Sequence, residues 1–201
     1  EQFVDWLCCA ALDRLRLATC RDIAEFWGLV STREVMDWLG RQPADQFQRV
    51  RIETAHGPSS TDYICSADTL LELEGVSAPA KRLQILNPFD PLIRNRRRLS
   101  RLFGFEYRIE VFVPKARRQY GYYVFPLIEG ETFVGRVDLV HDREEDALRV
   151  NGLWWEPRVR ATRARTKALE SQLNRLRQFV GASRVLFAPD QNVSDRLQQG
   201  A

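Results

Sequence analysis

The chain has 201 residues, 44% hydrophobic and 10% aromatic, enough to bury a real core and better suited to two small domains than to one. Thirty Lys and Arg against 27 Asp and Glu leave a formal charge of +3, so any affinity for a polyanion has to come from clustering of basic residues. No apolar run approaches membrane-spanning length, and residues 1–12 lack the basic start and cleavage site of a signal peptide, which excludes a membrane partner and points to the cytoplasm.

The chain begins without Met inside a predicted helix, as expected of a fragment. Residues 3–16 place Phe3, Leu7, Ala10 and Ala11 at helical spacing on one apolar face. Thr19 followed by Asp22 opens a second short helix closed by Gly28. Ser31 and Glu34 form a capping box that opens a third through about Gly40, with Val35, Trp38 and Leu39 facing inward. Two strand-like segments follow, Gln48–Thr54 and Thr61–Ser66, separated by the polar turn AHGPSS. Three helices and then a hairpin with a flexible tip is the order of a winged helix, the third helix serving as recognition helix and His56–Ser60 as wing. Arg33, Arg41 and Arg49 are its candidate phosphate or base contacts. Glu34 and Asp37 make that helix only weakly basic, so packing against protein is an equally natural role for it.

The stretch GVSAPAKR then separates a first domain, 1–75, from a second, 82–201. Between Arg94 and Tyr120 stand nine basic residues: Arg94, Arg96, Arg97, Arg98, Arg101, Arg108, Lys115, Arg117 and Arg118. They face two acids, Glu106 and Glu110, and Phe103, Phe105, Tyr107, Phe112 and Tyr120 are interleaved among them. Guanidinium groups grip phosphate oxygens and aromatic rings stack on bases, so the pattern fits a nucleic-acid footprint. A solvated helix face followed by an ordinary core strand fits it as well. Beyond a short helix at Arg96–Leu102 the pattern becomes strands: Tyr107–Val113, Tyr120–Ile128, Thr132–His141 and Ala147–Trp155, with Glu129-Gly130 as a tight turn. These predict an antiparallel meander able to curl into a small barrel, crossed by a long helix from about Arg160 to Val180. A polar tail after Pro189 is expected to fray. The fold class is therefore α+β: a winged-helix domain, then a small antiparallel β-barrel or meander with a C-terminal helix.

Motifs for chemistry are sparse. Cys8, Cys9, Cys20 and Cys65 include no C-x-x-C pair, and His56 and His141 lie near no cysteine, so no metal is expected and the thiols read as reduced and mostly buried. Nucleotide, dinucleotide and serine-hydrolase signatures do not occur, and no cofactor is implied. Asp90, between prolines, and Asp138, in a strand, read as ion-paired anchors. Trp154 and Trp155 point to opposite faces of their strand, one into the core.

NPFDPLI, the Arg-rich helix and FGFEYRIEVFVPKARRQYGYYVFPLIEGETFVGRVDL together resemble the bacterial YcaQ-like winged-helix family, DNA glycosylases that unhook interstrand cross-links. The resemblance covers roughly residues 10–157 and is strongest at 87–92, 117–124 and 135–139. It implies that 1–68 is similar to the last of that family's tandem winged helices and that the strands are similar to its C-terminal barrel. That family's Gln-hydrophobic-Gln or Gln-hydrophobic-Asp catalytic motif lies near the start of a longer chain, a region absent here. Gln46-Phe47-Gln48 matches the motif in letters but falls before the wing, in the wrong module, and is read as coincidence; the catalytic residues are unknown. The expected function is the DNA-binding C-terminal part of a repair glycosylase acting on cross-links or alkylated purines. Its contacts would be Arg33, Arg41, Arg49, Arg96, Arg97, Arg98, Lys115, Arg117 and Arg118. Its partners would be double-stranded DNA, at the bacterial nucleoid, and a missing N-terminal catalytic module or another protein. A non-catalytic winged-helix regulator or architectural protein is the alternative. In a third reading the basic stretch is part of a protein-interaction module and only covers apolar surface.

Overall fold

A computed structural model describes residues 1–59, 61–73 and 75–188; the last residue of the expected wing, Ser60, and the tail from Pro189 lie outside the described residues. In chain order the elements are α1 (Gln2–Leu15), α2 (Cys20–Trp27), α3 (Thr32–Gly40), β1 (Phe47–Val50), β2 (Glu53–Thr54), β3 (Gly57–Pro58), β4 (Tyr63–Ser66) and α4 (Ala67–Leu73). There follow β5 (Leu83–Ile85), α5 (Pro91–Arg94), α6 (Arg96–Phe103), β6 (Val124–Glu129), β7 (Thr132–Asp142), β8 (Ala147–Trp155), α7 (Arg163–Phe179) and β9 (Arg184–Phe187). The chain divides into two compact units, one of residues 1–78 and 94–106, the other of residues 79–93 and 107–201. The Arg-rich helix α6 thus belongs with the first unit, although a division at the linker puts it in the second.

In the first unit, local side-chain chemistry sets the helix starts. Thr19 with Asp22 and Ser31 with Glu34 both close reciprocal capping boxes, and Gly28 ends α2 in the left-handed conformation at φ 68°. The apolar stripe of α1 (Leu7, Cys8, Ala11, Leu12 and Leu15) packs with Ile23, Val35, Trp38 and Ile64. Burial pushes the Cys8 thiol up to about 12, which makes it an inert core residue at neutral pH. The indole N–H of Trp38 donates to Asp5 at 2.8 Å, satisfying the one polar atom that this core tryptophan brings inside. The expected strand Gln48–Thr54 is two short pieces: β1 pairs with β4, and β2 pairs with β3 at the hairpin tip. That tip is tied down, because the Ala55 N–H donates to the Arg101 carbonyl of α6 at 3.0 Å.

The second unit is a five-stranded sheet in the order β5-β6-β7-β8-β9, curled into a half-barrel with α7 as its C-terminal helix. Strands β5 to β8 are antiparallel and β9 joins β8 in parallel, which is why a helix is needed to carry the chain between them. Leu169 and Leu173 of α7 pack on Leu127, Val137, Leu148 and Leu153 of the sheet. Bulges at Leu127/Ile128 and Asp138/Leu139 bend the central strands. The β6–β7 turn is Gly130-Glu131, with Gly130 at φ 61°.

Two strand assignments change. Tyr107–Val113 is not a strand; its apolar alternation breaks at Phe112, which is exposed, and Tyr107 is instead fixed by its hydroxyl donating to the Val124 carbonyl at 2.6 Å. The place beside β6 is taken by the three-residue β5. Residues 120–123 likewise precede β6 rather than forming part of it.

Gly135 sits where a Cβ would lie 2.5 Å from the Trp154 carbonyl oxygen of β8. Gly135→Ala is expected to force these strands apart and destabilise the second unit by about 1–3 kcal/mol, read as a lower denaturant midpoint. An unchanged midpoint would mean that the strands give way freely.

Candidate nucleic-acid interface

The Arg-rich helix turns two of its cations inward. Arg98 is 7% exposed and donates to the carbonyls of Leu17 and Leu15, at 2.6 and 3.1 Å. Arg101 reaches the buried Asp22 carboxylate at 2.6 Å, and Arg98 lies 3.8 Å from the same oxygen. Burial lowers the Arg98 pKa, an effect that Asp22 opposes. The i, i+3 spacing of 98 and 101 places both on one helical face. Arg98, expected as a DNA contact, is thus an internal anchor in the first unit.

The other expected contacts of this unit face solvent. Arg33 of α3 and Arg41, its C-terminal cap, are spaced with Met36, Asp37 and Gly40 for one exposed face. Arg96 is exposed on α6. Arg97 is exposed too, but sits 3.3 Å from Glu25. Arg49 shares Asp62 with Arg51, at 3.7 and 4.0 Å, with side chains largely in water; such pairs contribute little and are readily exchanged for another anion. Phe47 of the Gln46-Phe47-Gln48 segment packs on Trp38 with ring centroids 5.1 Å apart.

In the second unit, RRQYGYY and GRVDL form one structure. The loop 110–123 is wound around two carboxylates. Glu110 accepts backbone N–H groups from Gln119, Tyr120 and Gly121 at 2.9–3.3 Å. Burial raises its pKa, but these hydrogen bonds outweigh that and hold it below the usual carboxylate range, so the anion persists at neutral pH. Asp138, 6% exposed, accepts the Tyr123 N–H at 3.2 Å; burial raises its pKa. A Cβ on Gly121 would lie 2.2 Å from the Asp138 carboxylate, so the motif's glycine permits this close approach. Among the described residues Asp138 makes no ion pair, so its expected role as an ion-paired anchor becomes that of a backbone acceptor. Asp90 likewise caps the turn into α5, accepting from the Leu92 N–H at 2.8 Å.

Stacked on this frame is an alternation of cations and rings. Arg136 forms a two-nitrogen contact with Glu156, at 2.9 and 2.6 Å, and lies 4.3 Å from the Tyr120 ring centroid. Tyr120 meets Trp154 edge-on at 5.4 Å. Arg118 donates to the Val113 carbonyl and lies over Tyr122 at 4.7 Å. Lys115 and Arg117 project from a short 3₁₀ turn into solvent. Trp155 packs with the hydrophobic core, leaving Trp154 to the aromatic cluster. Beside the loop, a cavity of about 420 Å³ is lined by Tyr122, Tyr123, Phe125, Asp138, Asn151 and Leu176, among others.

Among the described residues Arg33, Arg41, Arg96, Lys115 and Arg117 are exposed and take part in no ion pair. These five cations are available to an external anion. Glu110 and Asp138, which shape the loop, were missed as its anchors because the contacts they make are to backbone far along the chain. No group of three or more His, Cys, Asp or Glu among the described residues is placed to hold a metal ion, and no described helix is long and apolar enough to cross a membrane.

The family model described as "DNA glycosylase AlkZ-like" matches residues 1–179. Among solved structures, the Streptomyces sahachiroi DNA glycosylase AlkZ is similar with a TM-score of 0.51 and 18% identity, over 85% of this chain and 41% of that one. At this identity the likeness shows the fold. The chain spans less than half the length of that structure.

Proposed function

Since the chain belongs to the AlkZ-like family of DNA glycosylases, we propose that it is the duplex-gripping part of a DNA-repair glycosylase acting on cross-linked or alkylated purines. The observation that carries this reading is the set of five exposed, unpaired cations on α3, α6 and the 110–123 loop. The first unit acts as a winged helix: α3 enters a groove, with Arg33 and Arg41 toward phosphates or base edges, while the β2–β3 hairpin meets the backbone. The second unit supplies Lys115, Arg117 and stacked aromatic rings. Such contacts set register and orientation and are largely sequence-independent.

The reaction served is hydrolysis of the N-glycosidic bond by an activated water, through a transition state with positive charge developing on the sugar. No side chain of this chain is assigned to that step. Gln46 and Gln48 flank a phenylalanine packed on Trp38, and an amide acts as a base only by positioning water.

The test is to incubate this chain with a duplex containing an alkylated guanine, following base release and binding together. Binding without base release is the expected result. Base release by this chain would place catalysis within it and return attention to Gln46 and Gln48. A preference for one sequence worth roughly 4–10 kcal/mol would favour a regulator. No binding would sink the proposal.

A further inference from the structure

We propose that Phe112 is an apolar wedge that inserts between base pairs of the bound duplex, an inference that rests on the DNA-gripping role proposed above. Of the described large hydrophobic side chains it is the most exposed, at 95%. A lone surface phenylalanine is ordinary on a loose loop. This one is mounted rigidly. It is a central residue of a turn closed by the Val113 N–H donating to the Glu110 carbonyl at 2.9 Å.

The same glutamate's carboxylate takes the N–H groups of 119–121, so Glu110 pins both ends of the loop. Arg118 then clamps the far side of the turn through the Val113 carbonyl at 2.8 Å. Val111 and Val113 are partly covered, and only the ring between them is given to solvent. Held this way, the backbone that carries the ring loses little further freedom on insertion.

Charge identifies the partner. The exposed charged residues closest to the turn in sequence are Arg108, Lys115 and Arg117, with the small apolar Pro114 and Ala116 exposed between them, and the nearest acid, Glu110, is engaged by backbone N–H groups. A docking surface for protein would continue as apolar area, whereas an apolar tip set in cations suits a base step bounded by phosphates. Wedge side chains of this type unstack a step and kink the duplex, most readily at pyrimidine–purine steps.

The experiment places 2-aminopurine in a TA step of a duplex and follows its fluorescence as this chain is added, with affinity measured by anisotropy. The fluorescence is expected to rise with the wild-type chain, to stay at the free-duplex level with Phe112→Ala, and to recover in part with Phe112→Leu. Phe112→Ala should keep salt-dependent affinity to within about tenfold, because the phosphate contacts remain. Binding by the wild type with no rise in fluorescence, or an equal rise with Phe112→Ala, overturns the wedge and leaves the gripping role standing. Absence of all DNA binding overturns both.

Discussion

Replacing Arg33, Arg96, Lys115 and Arg117 together with Ala is expected to weaken binding of duplex DNA at low salt by at least about 10²-fold and to reduce the slope of log K against log salt by about 3–4. The size follows from counterion release: each phosphate neutralised contributes close to 0.9 to the slope on B-form DNA. These four side chains are exposed and hold no ion pair among the described residues, so fold stability should change little, as is usual for surface substitutions. Parallel titrations of variant and wild type, with circular dichroism as the folding control, provide the measurement. An unchanged slope in a folded variant would remove these residues from the interface. Arg98 supplies the contrast: its removal should cost stability, because it is bonded to the Leu15 and Leu17 carbonyls inside the first unit.

The largest stability effect is expected at Asp22. Its carboxylate is 2% exposed, caps α2 through the Thr19 N–H at 3.0 Å, and faces both Arg101 and Arg98. Asp22→Ala leaves two guanidinium groups without their counter-charge in a region they cannot readily leave, at a cost of about 3–5 kcal/mol. Against the roughly 5–15 kcal/mol that holds a typical domain folded, that is a large share. Asp22→Asn keeps an acceptor for the cap and should lose less. Urea unfolding of the three proteins checks the order. A change below about 1 kcal/mol in Asp22→Ala would mean that water or rotation satisfies both arginines.

How much the sequence revealed depended on how local each contact is. The Ser31–Glu34 capping box could be read because a Ser and an acid three residues on satisfy each other's backbone; Thr19 and Asp22 marked the start of α2, and the structure shows that they too close a box. The β6–β7–β8 meander could be read from alternation and short turns. Strands β5 and β9 are three and four residues long, and β9 pairs in parallel with β8 across the whole of α7, so no periodicity marks them. The apparent strand at Tyr107–Val113 misled because alternation of apolar residues also arises when side chains are anchored one at a time, as Tyr107 is at the Val124 carbonyl.

The site divides in the same way. The cations of α6 and the loop were evident from a charge run, and Arg33 and Arg41 from the expected recognition helix. The four arginines of α6, however, do not say which turn inward, and that is settled by Asp22, more than seventy residues earlier. The glycine and two carboxylates that shape RRQYGYY had no local signature, since Glu110 and Asp138 bind backbone groups rather than the nearby arginines.

The gripping role is tested most directly by equilibrium binding of this chain to an undamaged duplex of arbitrary sequence, followed by anisotropy from about 50 to 200 mM salt. The expected result is a linear fall of log K with log salt, with a slope worth several phosphate contacts and little dependence on sequence. Absence of binding at the lowest salt, or binding indifferent to salt, would contradict it.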